Sequence, residues 1–428
     1  MVSESEHLKH EILKLKLAVD ELAILNEIAL TISSIVDLES VVDLIIKKCI
    51  KHLHVDQGAV MLLDEKDKAT PFHTIIRKGD SKSDQLPFRL DAQLTGWMIK
   101  NQKPLLSNNI NQDIRFQLSK KTDSSFNSLL AVPLQLKGKM IGSLMVFNKY
   151  CEEGFTDDDK RLLTIIAAQS AQVVENARLY HEEQELFKIH QEMNVAREIQ
   201  LNLLPSKNPI IQGYDIYGIS IPAKEVGGDY YDFITLENEK LAFCLGDVSG
   251  KGVSAAMLMA NLQATFRSQT QLSESTGLCL NRSNKLLYHS TDSAKYATFF
   301  CGILDSKKHE ITFSNAGHNN PILITNSGDI KRLQTVGIVL GFLDDFEFSE
   351  SKISLAQGDI LLIISDGISE AMDENEEEYG EERLEQLITE NKNQTSERIA
   401  DLIIESVNNY AGALPQSDDI TLVVIKKN

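Results

Sequence analysis

Four aspartates in this chain have the side-chain type and the setting to hold metal ions. Asp229 lies in EVGGDYYDF, Asp247 in LAFCLGDVSGKG, Asp366 in DILLIISDGISEA and Asp418 in QSDDITLVVI. Each stands at the tip of an apolar run that reads as a strand, so the strands stay buried while their ends carry charge. One Asp beside one Gly is the ordinary make-up of a turn. Four such strings, with no zinc-like or disulfide-like spacing to compete, point instead to a shared site. Carboxylates gathered together repel unless a cation sits among them, and hard oxygen donors suit Mg²⁺ or Mn²⁺. The expectation is a two-metal hydrolase centre in the C-terminal half. Asp232 and Asp419 are near-neighbours that could replace two of the four, and they are read as supporting or structural residues.

The segments around these groups suggest how they are positioned. Gly227, Gly228, Gly250 and Gly252 would let backbone approach an ion or a phosphate, although ordinary tight turns use glycine too. GVSAAMLMANLQATFRS reads as a helix whose Ala255, Ala256 and Met259 face the sheet as core. His318, in NAGHNNP, fits either a general acid for a leaving alkoxide or a turn histidine held by its Asn neighbours. Lys224 could meet a substrate phosphate or stay solvated. The acidic run DENEEEYGEERL reads as a solvated helix start. No phosphate-cradling loop of the Walker type occurs, which argues against a nucleotide hydrolase.

In PAKEVGGDYYDF, GDVSGKGVSAAMLMA, YATFFCGILD, FSNAGHNNPILI, GDILLIISDGISEAMD, YGEERL and SDDITLVV, the chain resembles the PPM metal-dependent protein phosphatases, in their bacterial SpoIIE-like branch. The strings run in family order from about residue 205 to the end. The resemblance implies an αββα sandwich of two antiparallel sheets flanked by helices, with metals at one end. It implies that Asp247 bridges two ions, with the Val248 carbonyl as a further ligand. Asp229 would hold one ion and Asp366 the other, with Asp418 completing the second coordination sphere. Two divalent ions roughly 3.5–4 Å apart lower the pKa of a shared water towards neutrality, so no nucleophilic Ser or Cys is needed. The branch lacks the phosphate-clamping arginine of its eukaryotic relatives, and no replacement stands out in the sequence.

Composition sets wider bounds. A chain of 428 residues is long enough for two domains with separate cores. A net charge of -19 argues against non-specific binding to nucleic acid. Cys49, Cys151, Cys244, Cys279 and Cys301 are scattered without ligand spacing, and read as reduced, buried thiols of a reducing compartment. No apolar stretch approaches membrane-spanning length, and the N-terminus is charged rather than signal-like. A cytoplasmic protein without membrane contact is expected.

The organisation is that of a mixed α/β and α+β multidomain chain. Residues 1–25 read as a coiled-coil helix with a seam of Leu8, Ile12, Leu15, Val19 and Leu22. In residues 26–180, the helices LNEIALTISS and LESVVDLIIKKCIKHLHV precede the strands GAVMLLDE and FHTIIRK and a helix near LTGWMIKNQKP. SLLAVPLQLKGKMIGSLMVFNK is a hairpin around Lys137-Gly138-Lys139, followed by a helix with Thr156 as N-cap and Asp159 as its third-position acid. That order resembles a GAF domain, a small-molecule sensor built on a central antiparallel sheet. NKYCEEGFTDDDK is similar to a string of nucleotide-binding GAF domains, with Lys160 where a glutamate belongs. The reading favours a structural role for Asn148, Lys149 and Asp159, and leaves any GAF ligand unidentified. Residues 181–205 are a helical linker with a second seam of Leu186, Ile189, Met193, Ala196, Ile199 or Gln200, and Leu203, ended by Pro205. The seams predict a parallel homodimer, with residues 206–428 forming the phosphatase domain.

These readings converge on a metal-dependent serine/threonine phosphoprotein phosphatase, regulated by a GAF domain through the helical linker. By resemblance its substrate is a small phosphoprotein, such as a phosphorylated anti-sigma-factor antagonist. The alternative is a dimeric ligand-binding scaffold whose phosphatase fold is catalytically dead, against which the four intact aspartates argue.

Overall fold

The computed structural model describes residues 37–63, 72–79, 92–115, 127–291 and 295–428. The expected N-terminal coiled-coil helix and the segment LNEIALTISS lie outside them. Two compact units divide between Lys188 and Ile189.

The first unit is built on a five-stranded antiparallel sheet. Its strands are β1 (Val55–Leu63), β2 (Phe72–Gly79), β3 (Leu105–Ser107), β4 (Leu129–Leu136) and β5 (Lys139–Lys149), in the order β2-β1-β5-β4-β3. Helix α1 (Leu38–Leu53) starts at Asp37, whose carboxylate accepts from the Ser40 amide at 2.9 Å. It ends at His54 in the left-handed region. Val41, Val42, Ile45, Ile46, Cys49 and Leu53 recur at helical spacing and are all buried, so Cys49 is a core thiol. A short helix, α2 (Ala92–Asn101), precedes β3. The hairpin between β4 and β5 turns on Lys137 and Gly138 alone, at φ 50° and 81°, the backbone a two-residue primed turn requires. Helix α3 (Asp157–Leu201) packs Leu163, Ile166, Ala167, Ala171, Val174 and Ala177 into the same core as α1.

Thr156 and Asp159 form the expected capping box at the start of α3. Asp159 accepts from the Thr156 amide at 2.8 Å, while the Thr156 hydroxyl accepts from the Asp159 amide at 3.2 Å. Lys149 pairs with Asp159 at 2.6 Å, and Asn148 accepts from the Asn127 amide at 2.9 Å. Lys149 and Asp159 of this string thus join sheet to helix, while Asn148 ties the end of β5 to the segment that enters β4.

The second unit stacks two antiparallel sheets. One contains β7 (Tyr230–Thr235), β8 (Lys240–Val248), β9 (Ala297–Asp305), β10 (Glu310–Ala316) and β13 (Ser351–Ser354). The other contains β6 (Tyr214–Ile221), β11 (Ile322–Ile324), β12 (Ile330–Arg332), β14 (Ile360–Ile364) and β15 (Ile420–Lys427). Side chains alternate between faces along each strand. Leu241, Phe243 and Leu245 of β8 meet Val423 and Ile425 of β15 in the layer between the sheets. Cys244 faces the other way, against Met259, Leu262 and Phe266 of α4 (Val253–Leu272) and Leu280 and Leu287 of α5 (Thr276–Ser290). Leu422 and Val424 likewise face α7 (Glu381–Glu390) and α8 (Ser396–Ala411). A short helix, α6 (Asp366–Ser369), follows β14. Three apolar layers thus hold the expected αββα sandwich, and the strand ends are left free to carry polar groups.

Two expectations need correction. Helix α3 ends at Leu201 rather than at Pro205, because the next residues tighten into i→i−3 bonds, with the Leu203 amide donating to the Gln200 carbonyl at 2.9 Å. Leu203 then packs into the α4–α5 core instead of continuing the seam. Cys151 is exposed, whereas the other four cysteines are buried as expected. Among the described residues, no helix is long and apolar enough to cross a membrane.

Candidate active site

The register of two ladders brings the sequence-predicted aspartates together in pairs. Tyr230 of β7 lies opposite Gly246 of β8, so Asp229 and Asp247 are neighbours at one end of the first sheet. Ile364 of β14 lies opposite Leu422 of β15; Asp366 follows the one strand and Asp418 precedes the other, near enough for the Asp418 charge to raise the Asp366 carboxyl. Asp229 is 4% exposed, and its Oδ2 is buried with no hydrogen-bond partner. Burial, followed by the charge of Asp247, pushes the Asp229 carboxyl well above the usual carboxylate range. Burial, followed by the charges of Asp366, Asp418 and Asp419, raises Asp247 to about 7. Asp366 is raised by burial and by Asp418.

An unpartnered buried carboxylate oxygen among like charges is costly, and a divalent cation is the group that removes the cost. The donor set fits such an ion. As it stands it does not close into a cage: among the described residues, no three His, Cys, Asp or Glu side chains gather tightly enough to hold a metal. Lys251 instead places its ammonium 2.7 Å from Asp418.

Asp419 has a different task. Its Oδ1 accepts from the Ala223 amide at 2.8 Å, and its Oδ2 from the amides of Gly228 at 2.6 Å and Asp229 at 3.2 Å. The carboxylate therefore anchors the loop that presents Asp229. A Cβ on Gly227 would stand 2.3 Å from Asp419 Oδ2, which is why this loop needs glycine there. A Cβ on Gly228 would come within 3.1 Å of the Val248 carbonyl and 3.3 Å of Asp247 Oδ1, so that glycine keeps the approach to both open.

The remaining sequence candidates separate. Asp232 is fully buried on the opposite face of β7, bound by Arg267 at 2.6 Å and by the Tyr230 hydroxyl at 2.6 Å, and is structural. Residues three apart on a strand point to opposite faces, which removes Asp232 from the site that Asp229 enters. Lys224 is exposed on the loop. His318 is held as a turn histidine, its amide donating to Asn315 Oδ1 at 2.8 Å. Its Nδ1 lies 2.9 Å from Thr298 Oγ1, which in turn lies 3.5 Å from the Asp247 carbonyl. Burial pushes the His318 imidazole down to about 4, so it stands neutral at pH 7 and is ill-suited to donate a proton.

Sequence reasoning did not single out Lys251 or Thr298 for the site, and Gln200 entered only as an alternative seam position. Lys251 was legible, since it stands between the two glycines of the DVSGKG string. Thr298 and Gln200 act through contacts that nothing local announces.

Each of the two units is similar to a known domain family. Residues 36–175 match the family described as GAF domain, and residues 237–428 match Stage II sporulation protein E (SpoIIE). The chain is 30% identical over 265 residues to Protein IcfG of Synechocystis sp., covering 55% of this chain and 42% of that protein. It thus spans less than half of that relative. It is 28% identical over 253 residues to Phosphoserine phosphatase RsbU of Bacillus subtilis, covering 58% of this chain and 75% of that one. Among solved structures, the SiaA-PP2C domain of Pseudomonas aeruginosa superposes with a TM-score of 0.51 at 18% identity, covering 57% of this chain and 99% of that domain. That likeness establishes the fold.

Proposed function

We propose that this protein is a divalent-cation-dependent serine/threonine phosphoprotein phosphatase of the PPM class, controlled by its GAF domain through α3. The observation that carries the reading is the pairing of buried Asp229 with half-buried Asp247, both carboxyls raised by burial and by neighbouring acidic charge, with one Asp229 oxygen left unpartnered. Asp247 and the Val248 carbonyl would serve two ions, Asp229 one of them, and Asp366 with Asp418 the other. When bound, Mn²⁺ or Mg²⁺ ions supply Lewis-acid neutralisation of phosphoryl oxygens and an acidified water. The chain's own part is positioning: Asp419 fixes the Asp229 loop, and Lys251 offers a cation at the rim for a phosphate dianion.

Hydrolysis would be direct: a water oxygen bonds to phosphorus and gives up a proton as the ester P–O bond breaks, and the leaving seryl oxygen takes a proton, giving serine and inorganic phosphate. Cys244 and Cys301 support this reading, since burial pushes both thiols well above their usual range and denies them a nucleophilic thiolate. Phosphoserine is the substrate group suggested by the name of the Bacillus relative. A small phosphorylated protein of the anti-sigma-factor-antagonist kind is the expected partner. The protein would work as a homodimer in the cytoplasm, with a small molecule on the GAF domain as its signal.

A turnover assay on p-nitrophenyl phosphate with Mn²⁺ tests the enzyme against the dead scaffold. Metal-dependent release of phosphate supports the enzyme. Its absence at saturating Mn²⁺, in a folded protein, supports the scaffold.

A further inference from the structure

The last turn of α3 ends in a two-way bond to the loop that carries Asp229. Gln200 Nε2 donates to the Gly227 carbonyl at 2.7 Å, and Gln200 Oε1 accepts from the Gly227 amide at 3.0 Å. Gly227 is buried and lies outside the strand ladders, so these two backbone groups depend on a side chain for satisfaction. A primary amide presents an N–H donor and a carbonyl acceptor side by side in one plane, and so copies a strand rung. A carboxylate can supply only the acceptor, and an apolar side chain neither.

Asp419 grips the next two amides from the other side. The segment Gly227-Gly228-Asp229 is therefore suspended between Gln200 and Asp419. The end of α3 is itself tied down, because Leu203 and Leu204 pack into the cores of the second unit and Gln263 Nε2 donates to the Leu203 carbonyl at 3.3 Å. Neighbouring Ile199 is 60% exposed, so it is Gln200 and not Ile199 that this turn of the helix directs at the loop.

We propose that Gln200 is a positioning residue: its amide sets the backbone of Gly227, and through it the placement of the Asp229 carboxylate for cation binding. This rests on the phosphatase reading for its consequence, but the clamp itself does not need a metal. A small rotation or withdrawal of the helix end breaks both bonds together. Two buried polar groups are then left unpartnered, and the loop relaxes. The clamp is thus the point at which a displacement of α3 becomes a change in the metal site.

Two measurements on the full-length chain test this, with Gln200→Ala and Gln200→Glu beside the parent. In metal-free protein, hydrogen exchange of the amides at 227–229 should speed up by about tenfold in Gln200→Ala, the effect of losing about one net hydrogen bond. It should speed up less in Gln200→Glu, which keeps an acceptor for the Gly227 amide. Calorimetry should show Mn²⁺ bound more weakly in the same order, with circular dichroism and melting of the rest of the fold unchanged. Parental exchange and parental Mn²⁺ affinity in Gln200→Ala would overturn the clamp. Failure of the parent to bind Mn²⁺ would instead count against the phosphatase reading, and the exchange measurement would still decide on Gln200.

Discussion

Lys251 holds its ammonium 2.7 Å from the Asp418 carboxylate, and the same ammonium donates to the Ser417 carbonyl at 2.9 Å. Both side chains are well exposed, at 51% and 38%, so the ion pair contributes at most about 1 kcal/mol. A cation that recruits Asp418 must displace Lys251 or share the carboxylate with it. Lys251→Met should therefore tighten Mn²⁺ binding by up to about fivefold, the equivalent of that energy. Calorimetric titration checks this, and equal or weaker binding would show that Lys251 does not compete for Asp418.

His318 makes the fold sensitive to acid. Its imidazole stays neutral down to about 4 in the folded protein, whereas the ordinary value is 6.5. The unfolded chain therefore takes up a proton as pH falls below 6.5 while the folded chain refuses it. The His318 contribution to stability is lost across the interval from 6.5 to about 4 and levels off below it, set against an opposite contribution from Asp247, whose carboxyl is raised to about 7. The full His318 effect is on the order of 3 kcal/mol. His318→Gln should remove this slope. Urea unfolding at several pH values checks it, and an identical slope in variant and parent would be the contrary result.

In the first unit, Asp159 caps α3 and pairs with Lys149, and both side chains are nearly buried at 13% and 12% exposure. Asp159→Ala removes the cap and strands an ammonium, so the domain should lose about 2–4 kcal/mol. The chain has a single tryptophan, Trp97, which lies in this domain and reports its unfolding selectively by fluorescence. An unchanged midpoint would mean that Asp159 has no structural duty.

The middle of α3 exposes Leu186 at 68%, Phe187 at 55% and Ile189 at 55%, large apolar side chains beyond the part of the helix that packs into the α1 core. A second copy of the chain is the natural cover for such side chains. Light scattering should report a dimer, and the double variant Leu186→Glu, Ile189→Glu should be a monomer. A monomeric parent at assay concentrations would rule the seam out. Leu203 is not part of this prediction, since it is committed to the core of its own unit.

Much of this architecture was readable from local pattern. Asp366 and Asp418 follow and precede unbroken apolar runs, and strand alternation in β8 and β15 sorted their side chains between two core layers. Thr156 and Asp159 announced a helix start at the right spacing. The limits appear where a residue's partner is far along the chain. The seam could not choose between Ile199 and Gln200, because both fit a heptad and only the loop at Gly227, folded against one of them, breaks the tie. Asp419 and Asp418 are adjacent and chemically identical. They differ because strand alternation turns one towards the backbone of Ala223, Gly228 and Asp229 and the other towards Lys251. Leu203 looked like a coiled-coil position because periodicity does not record where a helix stops.

The account stands most directly on Asp247, which belongs to one acidic pair and feels the charge of the other. The decisive measurement is hydrolysis of a phosphoserine protein, with and without Mn²⁺, by the parent and by Asp247→Ala, each checked for an intact fold by circular dichroism. The account predicts Mn²⁺-dependent turnover in the parent and a loss of about a thousandfold or more in Asp247→Ala, consistent with removing several kcal/mol of transition-state stabilisation. Turnover in Asp247→Ala close to that of the parent, or parental turnover indifferent to chelation of the metal, would contradict it.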